Sequence, residues 1–274
     1  MYRNTFLSVM FLACCFNGSL CAQSDAQIYE RTCDAKTYPF SDPSPVATPN
    51  NSYYPYFRFD GFSMQAQEKQ WKMVVLENDY VKLTVTPEIG GKIWGAIDKV
   101  NNKEFVYTNG VVKFRDVAMR GPWTSGGIEF NFGIIGHAPT CSTPIDYLTK
   151  KNVDGSVSCH IFSYEWITRT VWNVEINLPK DKAYFTTHTT WFNQSSIDQP
   201  YYQWMNAGYA TKTGTRFYYP GTYSIGHSGD LHPYPIDEEG RDVSWYDNNN
   251  FGASKSLHIC LLYTSPSPRD RQKS

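Results

Sequence analysis

With 274 residues and a formal net charge of −1, the chain offers no basic surface for nucleic acid or an anionic membrane. Aromatic residues make up 16% of it, with 20 tyrosines and 8 tryptophans, against 19% charged residues. That balance fits β structure and flat ligand-stacking surfaces.

Residues 1–22 read as a secretory leader. Arg3 supplies the positive start, 6–16 is an apolar run too short to span a bilayer, and the small residue Ala22 suits cleavage before Gln23. Leu12-Ala13-Cys14 offers lipoprotein processing at Cys14 as an alternative. Either route delivers the protein to the periplasm or the cell exterior, and no later run predicts a transmembrane segment. Of 7 cysteines, Cys33, Cys141 and Cys159 remain once the leader and the C-terminal tail are set aside. Export permits disulfides, and Cys141–Cys159 is a candidate bridge.

Residues 23–70 read as an extended arm that short edge pairings would hold, because it carries Pro39, Pro43, Pro45, Pro49 and Pro55. The domain proper is expected over 71–259. Regular structure is predicted from Met73. Val81, Leu83 and Val85 then alternate with Lys82, Thr84 and Thr86, and strands follow at 92–98 and 104–107. A hairpin is predicted from 147–150 and 156–164 around Asp154-Gly155, with Trp172, Val174, Ile176 and Leu178 on one face of the next strand. Further strands are predicted at 184–192, 201–210 and 215–219. No amphipathic helix exceeds two turns and no solenoid period recurs, so the expected class is all-β, an antiparallel sandwich or barrel.

The richest stretch chemically is 119–137, MRGPWTSGGIEFNFGIIGH. In a strand, Glu129 and Asn131 face one way while Ile128, Phe130 and Phe132 face the other. Beside the flat ring of Trp123, a desolvated Glu129 carboxyl with a raised pKa would suit a general acid; a structural carboxylate holding the glycine loop is the alternative. Arg120 would clamp a substrate, or pair with Glu129 or Asp116. His137 would donate to a sugar oxygen or serve the loop. His227 and His232, with Asp230, read as a polar rim, since their spacing fits no zinc motif; no metal and no cofactor are implied. Asp242 is the second carboxylate that glycoside chemistry would need. Trp123 and Trp245 fall in irregular segments and are stacking candidates, whereas Trp94, Trp172, Trp191 and Trp204 fit core positions.

Two motifs carry a resemblance. Leu76-Glu77-Asn78-Asp79-Tyr80 with Thr86-Pro87-Glu88-Ile89-Gly90-Gly91-Lys92-Ile93 resembles the start of the galactose-mutarotase-like β-supersandwich. Arg120-Gly121-x-Trp123-x-Ser125-Gly126-Gly127-Ile128-Glu129-Phe130-Asn131-Phe132 with His137 is more specific. Together with Trp204-x-Asn206-Ala207, Tyr219-Pro220 and Gly240-x-Asp242-x-Ser244-Trp245, it resembles the domain of unknown function 5107 family. The resemblance implies an antiparallel supersandwich with a sugar-binding face, and no particular reaction. The histidine pair and late glutamate of aldose mutarotases are not found, which speaks against mutarotation. Family members often continue into helical repeats, so the resemblance implies C-terminal repeats that this chain lacks.

Cys260 to Asp270, CLLYTSPSPRD, resembles the in-frame translation of a sequencing adapter. Residues 260–274 are therefore expected to be non-native and the supersandwich C-terminally truncated. The expected function is an exported carbohydrate-binding domain. It would be carbohydrate-active if Glu129 performs acid/base chemistry on a glycoside with Asp242 or His137. A non-catalytic sugar-binding or structural module of a larger repeat-containing protein is the alternative.

Overall fold

Strands supply nearly all of the regular structure in the computed structural model, which describes residues 24–47, 54–118, 120–133, 135–200, 202–225, 229–248 and 260–261. The expected leader 1–22 with Cys14, the histidine His227, and 262–274 of the tail lie outside the described residues. In chain order the strands are β1 (Gln27–Tyr38), β2 (Gln67–Glu77), β3 (Val81–Thr86), β4 (Lys92–Asp98), β5 (Lys103–Val106), β6 (Val112–Lys113), β7 (Arg115–Asp116), β8 (Pro122–Trp123) and β9 (Ile128–Gly133). A 3-10 turn at Pro139–Ser142 precedes β10 (Asp146–Lys151), β11 (Val157–Glu165), β12 (Thr170–Leu178), β13 (Thr186–Asn193), β14 (Tyr202–Ala207), β15 (Tyr223–Ile225), β16 (Leu231–Pro233) and β17 (Cys260–Leu261). The class is all-β, with a sandwich of antiparallel sheets as expected.

The main sheet runs β14-β9-β4-β3-β2-β1-β6, with β5 also paired to β4. It is antiparallel except where β1 meets β6. The second sheet runs β10-β11-β12-β13. Strict alternation in β12, where every second residue from Thr170 to Leu178 is buried, shows one face turned to the interior. Val74, Leu76, Leu83, Val85, Ile93, Phe130 and Phe132 from the main sheet meet Cys159, Ile161, Trp172, Val174 and Ile176 from the second. Phe132 and Trp172 stack with centroids 5.0 Å apart. A smaller cluster of Trp71, Met73, Ile89, Trp94, Val112 and Phe114 covers the other face of the main sheet.

The two motifs at the start of the domain have visible structural causes. Buried Asn78 accepts from the amides of Tyr80 and Val81 and donates to the carbonyls of Pro179 and Lys182. One side chain thus shapes the β2–β3 turn and ties it to the β12–β13 turn across the sandwich. Gly90 and Gly91 follow at φ +64° and +66°, a region open to glycine. A Cβ on Gly91 would stand 2.5 Å from Ile145 Cδ1 and 2.7 Å from Ile161 Cδ1, so the second sheet closes directly onto this turn.

Four expectations need correction. The supposed arm contains β1, whose register with β2 runs from Gln27↔Glu77 to Thr37↔Gln67. Its side chains are mostly exposed, so backbone pairing holds it and no hydrophobic alternation announces it; for the same reason β2 starts at Gln67, before Met73. Cys141 and Cys159 are free thiols: one sits on the 3-10 turn and the other in β11 of the second sheet, and burial pushes the Cys159 thiol up to about 12. Residues 215–219 form no strand; Arg216 makes a single bridge to Trp245. The expected single domain 71–259 falls instead into two compact units, Met1–Ala207 and Gly208–Ser274. The first holds the sandwich. The second holds β15, β16 and β17, and a stack in which the Arg216 guanidinium lies 5.0 Å from the Tyr218 ring centroid and 4.8 Å from that of Trp245.

Because Phe132 joins the two sheets, Phe132→Ala is expected to lower unfolding free energy by about 3–5 kcal/mol. Urea denaturation followed by tryptophan fluorescence measures this; a loss under about 1 kcal/mol would contradict the assigned core.

Candidate functional site

Strand register decides which side chains meet on the outer face of the main sheet. Ile93 pairs with Ile128 on the core side, so Lys92, Glu129 and Asn131 point outward. Opposite them on β14, Asn206 pairs with Glu129 and Trp204 with Asn131, which puts these two on the same face. The expected split of β9, with its apolar residues inward and Glu129 and Asn131 opposite, therefore holds. Trp204 was expected in the core; pairing with Asn131 instead brings it to this face.

Glu129 is 2% exposed and its two oxygens are both engaged. Oε2 accepts from Trp123 Nε1–H at 2.5 Å, and Oε1 accepts from Asn131 Nδ2–H at 2.6 Å. His137 Nδ1 lies 2.9 Å from Oε1. An ionised carboxylate only accepts, so Nδ1 carries the proton of this hydrogen bond. Asn131 completes a relay by accepting from the backbone amide of Ala138 at 2.8 Å, which fixes the chain just past His137. His137 itself has φ +51°, uncommon for a residue with a Cβ, and 18% of its side chain stays exposed. Its ring meets Trp123 edge-on at 5.7 Å and Trp204 at 5.3 Å and 39°.

Burial alone would raise the Glu129 carboxyl. The His137 hydrogen bond, the Lys92 charge and the Asn131 hydrogen bond outweigh it and hold the group below its ordinary value. The sequence-based expectation of a raised, acid-like carboxyl is reversed for that reason. Lys92 is the partner that sequence reading missed. It is 1% exposed, and its Nζ donates to the carbonyl of Thr124 at 2.5 Å and to Thr124 Oγ1 at 3.2 Å. Burial lowers its pKa, and the Glu129 charge opposes that. A lone lysine at the head of the strand KIWGAID was the available signal.

The glycines serve this geometry. Gly127 has φ +66°, and a Cβ there would stand 2.2 Å from the Ile93 carbonyl oxygen, so β9 reaches β4 only because this residue lacks a side chain. Arg120 donates to the carbonyl of Gly136 and so holds the loop that presents His137. The ion pair with Glu129 that the sequence suggested is replaced by this loop contact.

Four expected residues belong to the second unit or lie outside description. Asp242 pairs with Arg216 at 3.3 Å and accepts from Ser244. Hydrogen bonding from Ser244, with the Arg216 charge, holds its carboxyl below the ordinary value against burial. The ring of Trp245 is occupied by Arg216, and His232 lies 3.9 Å from Glu238 on the surface. His227 is the fourth, outside the described residues. Among the described residues no cluster of three His, Cys, Asp or Glu side chains is arranged to hold a metal. A cavity of about 290 Å³ lined by Phe40, Phe57, Trp71 and Phe114 reaches Pro122 of β8, and among the described residues none of the expected site residues lines it.

A model of the family described as Domain of unknown function (DUF5107) matches residues 48–266. Among solved structures, the chain is similar to the crystal structure of a TPR-domain containing protein from Parabacteroides distasonis ATCC 8503, with a TM-score of 0.70 and 24% identity. The match covers 80% of this chain and 38% of that one, so this chain spans well under half of that protein's length. At that identity the likeness is one of fold.

The depressed Glu129 carboxyl sets a pH dependence. Its stabilising effect is complete above the ordinary value of 4.5 and is lost as pH falls through its lower folded value. Wild type is therefore expected to exceed Glu129→Gln in stability near neutrality, with the gap closing in acid below 4.5. Chemical denaturation of both proteins across pH checks this; a gap that is constant with pH would contradict an ionised Glu129.

Proposed function

Because the chain belongs to the DUF5107 family, whose description names no reaction, we propose from its site that it is a glycan-binding domain, with the sugar seated on the outer face of the main sheet at His137. The observation that carries this reading is the Glu129–His137 pair held between Trp123 and Trp204. Two indole rings supply flat apolar surface for a sugar's C–H face, and the imidazole between them supplies a directed polar group for a hydroxyl. Glu129 fixes the imidazole tautomer, as second carboxylates do for functional histidines elsewhere.

In this reading Glu129 is a positioning residue. Both of its oxygens serve protein donors, and a carboxyl held ionised has no proton to give. If the bound glycan is also turned over, His137 Nε2 takes or returns the proton and Glu129 stabilises the imidazolium. Asp242, engaged by Arg216 and Ser244 in the second unit, is read as structural. The leader-like residues 1–22 support export to the periplasm or beyond. A second reading is favoured by the TPR-domain protein that shares the fold: the sandwich would be one module of a longer protein bearing helical repeats.

Titration calorimetry against a panel of mono- and oligosaccharides tests the proposal. Wild type is expected to bind at least one glycan, and His137→Ala to weaken that binding by about tenfold or more while keeping the wild-type circular dichroism. A folded wild type that binds nothing on the panel, or a His137→Ala variant that binds as tightly as wild type, would sink the reading.

A further inference from the structure

The β11–β12 hairpin carries a tryptophan that the fold does not use. Its turn is secured by the buried carboxylate of Glu165, which accepts from the amide of Ile167 at 3.0 Å, the amide of Thr168 at 2.5 Å and the Thr168 hydroxyl. Thr168 Oγ1 bonds Thr170 Oγ1 at 2.8 Å, which accepts from Trp191 Nε1–H at 2.6 Å. The turn is thus fixed from beneath. Trp166, at its tip, is 66% exposed and rests edge-on against Tyr164 at 5.1 Å. An exposed indole on a rigid turn contributes little burial, and large exposed aromatics at such places mark recognition surfaces.

Trp166 does not stand alone. With Tyr54, 55% exposed and edge-on to Tyr56, it lines a cavity of about 200 Å³. Ala138, Thr140 and Glu165 line it too. These residues connect it directly to the site already described. Ala138 follows His137 and its amide holds Asn131, which in turn holds Glu129. Gly133, at the end of β9, is so close to Glu165 that a Cβ would stand 2.9 Å from Glu165 Cγ. The cavity is smaller than the roughly 300–1,000 Å³ typical of a whole small-molecule site. It fits one unit of a longer ligand better than an independent one.

We propose that Trp166 and Tyr54 form a second sugar subsite next to His137, so that the ligand is an oligosaccharide rather than a free monosaccharide. This rests on the glycan reading above and adds to it the size of the ligand and the direction in which it extends, past Ala138 toward the β11–β12 turn. The subsite works by stacking a sugar ring on the indole, with Tyr54 as the opposing lip.

The test is calorimetric titration of the full chain with gluco-, galacto- and xylo-oligosaccharide ladders, from mono- to hexasaccharide. Wild type is expected to bind longer members of one ladder about tenfold more tightly than the monosaccharide of that series. Trp166→Ala is expected to remove that gain and leave monosaccharide affinity unchanged, with Tyr54→Ala acting in the same direction. Both side chains are exposed, so both variants should keep the wild-type melting temperature. A gain with length that survives in Trp166→Ala, or no gain in wild type, would overturn the subsite while the glycan reading stands. Absence of binding by every ladder member would overturn both.

Discussion

A single buried carboxylate organises the outer face of this sandwich. Taking an ion out of water costs several kcal/mol, and the cost is recovered only where donors and an opposite charge are arranged around it. Here an indole N–H, a side-chain amide and an imidazole surround Glu129, and the buried ammonium of Lys92 supplies the charge. Each donor comes from a different piece of local structure: the β7–β8 ribbon, β9 itself and the loop that follows β9. Satisfying Glu129 therefore fixes three segments at once, and the exposed consequence is a histidine of defined tautomer between two tryptophans.

The sheet makes that arrangement possible by register. A shift of one residue between β9 and β14 would send Trp204 away from His137 and turn Asn206 from Glu129. Gly127 secures the approach of β9 to β4, and the inward residues Phe130 and Phe132 lock the strand against the second sheet. Core packing and site geometry are thus two faces of the same strand. The strain at His137, with its positive φ, is borne by the Ala138–Asn131 and Arg120–Gly136 contacts on either side of it.

Much of this was legible in the sequence wherever a side chain's burial alternates with its neighbours. Strand β12 alternates in burial along its whole length and β3 along most of it, β4, β10 and β11 were located by the turn residues that bound them, and the two faces of β9 were assigned correctly from the pattern alone. Strand β1 was not legible, because backbone pairing to β2 rather than side-chain burial holds it. Residues Glu129, His137, Trp123 and Asn131 were recognisable as a group. Their mutual bonds were not, since a tautomer and a carboxyl's direction of titration depend on donors brought in from distant strands. Lys92 and Trp204 show the same limit: one looked like the polar start of a strand and the other like core. The candidate partners Asp242, His232 and Trp245 were chosen for residue type, and their own neighbours in the second unit occupy them.

The account stands on Glu129 being ionised in the folded protein. The direct measurement is a pH titration of the Glu129 side-chain carboxyl carbon by NMR, assigned by comparison with Glu129→Gln. The account predicts a midpoint below 4.5, with the His137 ring resonances responding in the same titration. A midpoint at or above 4.5 would mean that burial outweighs the donors, and the ionised anchor on which the site is built would be contradicted.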